Sequence, residues 1–101
     1  GVPVGEHERG PAAMTTTRRL VHCTLPPELV REPVLHGLVG ASGAVVNIHR
    51  ANVDIEAGVA WYLLELSGVV EEVDRAEGWL QEQGIKVDRI ADQRTGTDQG
   101  G

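Results

Sequence analysis

Apolar and polar residues alternate in the first regular stretch of the chain. The apolar positions of this stretch are Val21, Cys23 and Leu25. A two-residue period is typical of a half-buried β-strand, and the double proline at Pro26 and Pro27 ends it. The pattern therefore predicts a first strand that finishes before Pro26.

Two later stretches repeat their apolar residues every three or four positions, which is the period of an amphipathic helix. Gly40 or Gly43 ends the first stretch, whose apolar residues are Leu29, Val34, Leu35, Leu38 and Val39. Gly84 ends the second, whose apolar residues are Val69, Val73, Ala76 and Leu80. The pattern predicts one helix after the first strand and another in the second half of the chain.

Three further strands complete the pattern. Val45–Asp54 and Ala60–Ser67 have the character of strands, and the loop between them contains Gly58, which suits a hairpin. A last strand is indicated by three apolar residues, Ile85, Val87 and Ile90. The order strand, helix, strand, strand, helix, strand predicts an α+β, ferredoxin-like βαββαβ sandwich, in which a four-stranded antiparallel sheet carries two helices on one face.

The predicted sheet has one face that no helix covers. In the third strand both sets of alternate positions are apolar, namely Ala60, Tyr62, Leu64 and Leu66 on one side and Trp61 and Leu63 on the other. Since an apolar sheet face is normally buried, the open face requires a partner or a second copy of the chain. We therefore predict a homodimer that forms through this sheet.

The second strand changes phase near its middle. Its apolar positions, even-numbered at first and odd-numbered afterwards, are Val46, Ile48, Ala51 and Val53. A shift by one residue is what a β-bulge at His49 and Arg50 would produce, and bulges often re-aim side chains near functional sites.

Asn47 precedes this bulge and lies on the phase opposite Ile48, which predicts a position on the open face or at its edge. Its side-chain amide offers both a donor and an acceptor, as binding the carboxylate and amine of a small zwitterion requires. The alternative, which the pattern leaves open, is a solvated residue or one that stabilises the bulge.

Composition and charge narrow the possible functions. A chain of 101 residues, 41% of them hydrophobic, fits one small domain. The formal net charge of -6 argues against nucleic acid as a partner, because such binding depends on clustered Lys and Arg. No apolar stretch predicts membrane insertion or secretion, and the single cysteine, Cys23, fits a reducing cytoplasm.

The two ends of the chain differ in composition from its middle. Residues 1–16 are rich in Gly and Pro and residues 92–101 are polar and rich in Gly. We expect the first segment to be a disordered extension, whether native or left by cloning, and the second to be a disordered tail. The working domain is predicted to span residues 17–91.

The sequence contains several side chains that can bind metals. The residues that could suggest a metal site are His22, Cys23, His36, His49 and Asp54. No pair among them has the spacing of known metal-ligand motifs, and the sequence shows no nucleophile–base pair or cofactor fingerprint. We therefore expect no metal, no cofactor and no enzymatic activity.

Acidic residues cluster at the start of the predicted second helix, at Glu71, Glu72, Asp74 and Glu77. Carboxylates in the first turn interact favourably with the helix dipole. We interpret the cluster as a solvated helix face rather than as paired catalytic carboxylates.

Four segments of the chain resemble the NIL domain. They are LPPELVREPVLHGL, VVNIHRANVD, LLELSG and AEGWLQEQGIKV, and the resemblance covers residues 18–90. The family is named for an Asn-Ile-Leu triplet in its second strand, which here reads Asn47-Ile48-His49. The resemblance implies an ACT-like form of the βαββαβ fold. NIL domains occur at the C-terminus of the ATPase subunit of bacterial methionine importers, where they pair and bind methionine to restrain transport, and also in fusions with iron–sulfur ferredoxin modules.

The resemblance implies that Asn47 contacts an amino-acid ligand, and we predict a ligand site formed by Asn47, Ile48, His49 and Arg50. His49 departs from the usual apolar residue, which puts methionine itself in doubt. The chain has neither a phosphate-binding G-x-x-x-x-G-K-[ST] loop nor the cysteines of an iron–sulfur cluster, so we expect a free-standing NIL domain.

Two functions follow as expectations. The first is a small regulatory domain that senses methionine or a related sulfur amino acid as a homodimer in the cytoplasm. The alternative is an interaction module that docks onto an unknown protein partner through its open sheet face and binds no metabolite.

Overall fold

The computed structural model describes residues 14–96, and these residues form four strands and two helices. In chain order the elements are β1 (Thr15–Leu25), α1 (Val34–Ser42), β2 (Val45–Asp54), β3 (Val59–Val69), α2 (Val70–Glu82) and β4 (Lys86–Gly96). The order confirms the predicted ferredoxin-like α+β plan. Neither helix in this part of the chain has both the length and the apolar character needed to cross a membrane.

The sheet has the strand order β2-β3-β1-β4, and all neighbouring strands are antiparallel. The helices cover one face, where the odd-numbered residues of β1 and the even-numbered residues of β3 meet them. The core is largely aliphatic, and its fully buried members include Val21, Cys23, Leu38, Leu64, Leu66, Val73 and Ala76. Burial raises the pKa of the Cys23 thiol to about 12, with Glu77 and Asp88 adding to the effect, so Cys23 is a structural residue of the core.

The first helix is shorter than its apolar period predicts. Leu29 belongs to a separate 3-10 turn, Pro27–Leu29, and α1 begins only at Val34. Pro33 explains the difference, because proline has no N–H to donate and is tolerated only at the start of a helix. Of the two predicted ends, Gly40 and Gly43, the helix uses Gly43, whose positive φ of 77° is the usual left-handed helix stop.

The terminal strands are longer than predicted. Thr15 and Thr16 lie in β1, and residues 92–96 lie in β4, although we expected both stretches to be disordered. The two stretches pair with each other, from Thr15 opposite Gly96 to Arg19 opposite Asp92. Backbone pairing of this kind needs no apolar side chains, which is why composition did not reveal it. Residues 1–13 and 97–101 lie outside the described residues, so disorder there stays a prediction.

A buried arginine lies between the sheet and α2. Arg19 is completely buried, and its Nη1 donates to Asp74 Oδ1 at 2.9 Å and to Glu77 Oε1 at 2.8 Å. Its Nε donates to Asp92 Oδ1 at 3.0 Å. Arg89 Nη2 also donates to Glu77 Oε1, at 2.8 Å. The interpretation of the acidic cluster as a solvated face was therefore wrong for Glu77, which is 13% exposed and paired with two arginines.

Candidate functional site

The predicted bulge is present in β2. Ile48 pairs with Leu64 and Arg50 pairs with Leu63, so His49 is the extra residue that has no partner in β3. After the bulge the apolar residues return to the helix side, since Ala51 pairs with Tyr62 and Val53 pairs with Ala60. The phase shift in the sequence therefore gave the correct position of the bulge.

The bulge directs two successive side chains toward the open face of the sheet. His49 Nε2 lies 2.9 Å from Glu65 Oε1, and Arg50 is opposite Leu63. Both of these β3 residues are on the side that the helices leave uncovered. A regular strand would have turned Arg50 to the helix side, so the bulge adds a cation to the open face.

The four predicted site residues do not all share one face. Asn47 is opposite Glu65 on the open face, and its side-chain amide forms no hydrogen bond with another described residue. His49 and Arg50 are on the same face. Ile48 is opposite the buried Leu64 and lies on the helix side, 54% exposed at the sheet edge because the helices do not reach it. The structure thus groups Asn47 with His49 and Arg50 and separates Ile48 from them.

A shallow pocket of about 200 Å³ opens on this face beside the bulge. Its lining consists of Arg18, Leu20, His49, Glu65, Ala91 and Gln93. Of the four predicted residues only His49 takes part, while Asn47 and Arg50 are on the same face outside it. We call this cavity the open-face pocket.

Opposite charges meet in the open-face pocket. The Glu65 carboxylate, 24% exposed, contacts His49 through Oε1 and lies 3.9 Å from Arg18 Nε through Oε2. Arg18 is 73% exposed, so its guanidinium is free to turn toward an anionic group. Leu20 and Ala91 supply apolar surface beside these charges. The pocket can therefore offer an acceptor for an ammonium group, a donor for a carboxylate and an apolar wall.

Five residues of the pocket were not predicted from the sequence, namely Arg18, Leu20, Glu65, Ala91 and Gln93. They meet because β1 lies between β3 and β4, which places Leu20 opposite both Glu65 and Ala91, and Arg18 opposite Gln93. The alternation along β1 could have identified two of them, since it places the even-numbered residues Arg18 and Leu20 on the open face. Which residues of other strands would join them depended on the register.

A half-buried apolar surface adjoins the pocket. Leu20, Trp61 and Leu63 lie on the open face with intermediate exposure, and the His22 ring stacks on Trp61 with the ring centroids 5.3 Å apart. We call these four residues the open-face patch. Within residues 14–96, no three His, Cys, Asp or Glu side chains are close enough to hold a metal ion.

The fold and the site define a small ferredoxin-like α+β domain whose open sheet face carries a polar pocket next to an apolar patch. Residues 19–89 match the family model of the NIL domain. The match covers most of the chain, and the protein belongs to the NIL domain family. No curated protein matches the sequence.

Proposed function

We propose that this protein is a regulatory ligand-binding domain that binds methionine or a related sulfur amino acid in the open-face pocket, as a homodimer. The observation that supports this most strongly is the meeting of Glu65 and Arg18 beside Leu20 and Ala91. An amino acid carries an ammonium group, a carboxylate and a side chain, and each has a complementary group there. The free, buried cysteine fits a function in the reducing cytoplasm.

Four residues of the pocket have a defined role in this proposal. Glu65 accepts from the ligand ammonium, and Arg18 donates to the ligand carboxylate, since guanidinium and carboxylate groups pair well. Leu20 contacts the ligand side chain. His49 already contacts Glu65 at 2.9 Å, so it shares that carboxylate with the ligand and narrows the pocket. Asn47 is outside the pocket lining, but it is opposite Glu65 in the neighbouring strand, and its side-chain amide lies next to the Glu65 carboxylate as the rim amide of the proposal.

The size of the pocket supports a dimer. Small-molecule sites usually have volumes of roughly 300–1,000 Å³ and bury most of the ligand. The open-face pocket has about 200 Å³ and is open to one side. A second copy placed over the open face would close the pocket and would cover Trp61 and Leu63 at the same time.

The open-face patch also favours a second candidate function. Half-exposed Trp61 and Leu63 form the kind of aromatic and aliphatic surface that proteins use for docking. In this alternative the domain binds an unknown protein partner through the patch and no metabolite enters the pocket. Ligand-dependent stability distinguishes the two.

We expect one sulfur amino acid to stabilise the purified chain against heat. Thermal unfolding of the chain is measured in the presence of methionine, homocysteine, cysteine and several amino acids without sulfur, one at a time. A ligand present at about 100 times its dissociation constant adds roughly 2.7 kcal/mol to the free energy of unfolding, which raises the melting temperature of a domain this small by roughly 10–20 °C.

Substitutions test whether the rise in melting temperature comes from binding in the open-face pocket. Glu65→Gln removes the charge that pairs with the ligand ammonium, and Asn47→Ala removes the rim amide, so both should reduce or abolish the shift. Asn52→Ala is the matched control, because Asn52 is exposed on the same strand and face but is opposite Trp61 rather than Glu65. No shift with any amino acid would contradict the proposal and favour the docking module.

We also expect the chain to have twice its single-chain mass in solution, as light scattering would measure. Leu63→Glu places a charge in the open-face patch and should yield a single-chain mass with the fold retained by circular dichroism, because the helix-side core is untouched. Val39→Glu, at a residue 50% exposed on α1, should remain dimeric. A Leu63→Glu protein that stays dimeric would exclude pairing through this face.

A further inference from the structure

A second cavity lies on the opposite side of the molecule from the open-face pocket. It has a volume of about 370 Å³ and lies between the 3-10 turn, the start of α1 and the last turns of α2. Leu29, Val34, Gly37 and Trp79 form its apolar part, and Glu28 and Glu32 line it as well. We call this cavity the interhelix cleft. Its volume lies within the roughly 300–1,000 Å³ of small-molecule sites.

The close approach of Gly37 holds the indole ring of Trp79 against α1. A Cβ atom added at Gly37 would lie 2.9 Å from both Cη2 and Cζ2 of that ring, which is closer than real Cβ contacts. Only glycine therefore allows the ring to occupy this position. Trp79 also packs against the buried core and is itself half-buried, so part of its surface is available in the cleft.

The charge of the cleft is negative. Glu28 and Glu32 are both exposed, and no basic side chain is among the residues that line the cavity. Arg31, which lies between them in the sequence, is exposed and is not part of the lining. The net charge of the whole chain, -6, adds to the attraction for a cation.

We propose that the interhelix cleft binds an organic cation, a guanidinium or ammonium group on a short alkyl stem. The cation lies near the Trp79 ring and the two carboxylates, and the stem contacts Leu29 and Val34. Aromatic faces attract such cations, most strongly in the case of tryptophan, and carboxylates add ionic attraction. This site is independent of the open-face pocket and of the function proposed for it.

The test is an NMR titration of the ¹⁵N-labelled chain of 101 residues with n-butylguanidinium, monitored through the indole N–H signals of its two tryptophans. The Trp79 signal should shift and saturate. Trp61 lies on the opposite face of the sheet, so its signal should stay in place and serves as an internal reference. Spectra of Trp61→Phe and Trp79→Phe assign the two signals.

Matched ligands and variants identify the interactions. n-Butylurea has nearly the same shape without the charge and should not bind, and sodium chloride at equal ionic strength should leave the signal unchanged. The double variant Glu28→Gln, Glu32→Gln should weaken binding by roughly fivefold to tenfold. Glu71→Gln is the control, because Glu71 is exposed at the far end of α2 from Trp79.

Gly37→Ala tests the shape of the cleft without altering its charge. The added methyl group should displace the Trp79 ring and abolish binding while the chain remains folded, since alanine favours a helix. Equal binding of butylurea and butylguanidinium, or a Trp79 signal that does not move, would overturn the proposal.

Two further ligands identify the source of the cation. Tighter binding of acetyl-arginine N-methylamide than of agmatine supports an arginine side chain from a partner protein. The reverse order supports a free small molecule. Binding of neither ligand would contradict the proposal.

Discussion

Replacing Arg19 with methionine will lower the free energy of unfolding by about 3–5 kcal/mol, the usual cost of removing one member of a buried ion pair. Methionine has similar length and is accepted in cores, so the loss comes from charge rather than from a cavity. Glu77 and Asp92, whose side chains are only 13% and 17% exposed, would lose the guanidinium that they share and would each keep one arginine partner, Arg89 and Arg94 respectively. For a domain of this size the melting temperature should fall by roughly 12 °C or more.

Urea unfolding followed by circular dichroism measures this loss. Arg18→Met is the matched control, because Arg18 is the neighbouring residue on the same strand but faces the open side and is 73% exposed. Its one ion pair with a residue in the range 14–96, to Glu65, has a distance of 3.9 Å, so its substitution should change stability by less than about 1 kcal/mol. An Arg19→Met protein within that same range would show that the network does not hold α2 on the sheet.

Asp92→Asn will remove a large part of the acid sensitivity of the fold. Burial by itself raises the pKa of Asp92, but hydrogen bonds from Thr17, Arg19 and Arg94 outweigh burial and hold that pKa well below its ordinary range. Thr17 Oγ1 lies 2.6 Å from Oδ1, and Arg94 Nε lies 2.9 Å from Oδ2. Because the charged form is favoured in the folded state, Asp92 stabilises the fold whenever it is ionised there.

The lowered pKa of Asp92 in the folded state determines the pH range in which Asp92 stabilises the fold. The stabilisation is fully present above the unfolded pKa of about 3.9 and is lost as the pH falls toward the lower, folded pKa. In that range Asp92 contributes a slope of up to about 1.4 kcal/mol per pH unit, which Asp92→Asn removes. At pH 7 the same substitution should cost about 1.5–3 kcal/mol, as is typical of hydrogen bonds to charged groups.

Urea unfolding midpoints measured between pH 2.5 and pH 7 test both the change in acid sensitivity and the loss of stability at pH 7. Asp88→Asn is the control, because Asp88 is 51% exposed and its ion pair to Lys86 has a distance of 4.0 Å. The stability of the Asp88→Asn protein should decrease with falling pH in the same way as that of the wild type. An Asp92→Asn protein with an unchanged acid slope would show that other carboxylates determine the acid sensitivity.

Arg19 shows how an informative residue escapes sequence analysis. It shares the odd-numbered phase of Val21, Cys23 and Leu25, so its buried position was visible in the alternation. A charged residue in an apolar phase is ordinarily the end of the buried part of a strand. Here three carboxylates from α2 and β4 accept its hydrogen bonds, and only the packing of those elements could reveal that.

Some residues of the candidate site could be predicted from one strand alone, and others could not. The phase of β2 gave the bulge at His49 and the open-face position of Asn47, because both depend on the period of one strand. Ile48 was grouped with them by sequence adjacency, but alternation directs it to the other side of the sheet. Glu65 was not predicted, since its meeting with Leu20 and His49 requires the register of three strands.

Local patterns in the chain were therefore enough to predict the type and order of the elements, the covered and open faces of the sheet, and the bulge. Each of these follows from local periodicity and from the restricted backbone of proline and glycine. The open-face pocket, the interhelix cleft and the partners of Arg19 became visible only in the folded protein. These depend on side chains far apart in the chain, which only strand register and helix packing bring within contact distance.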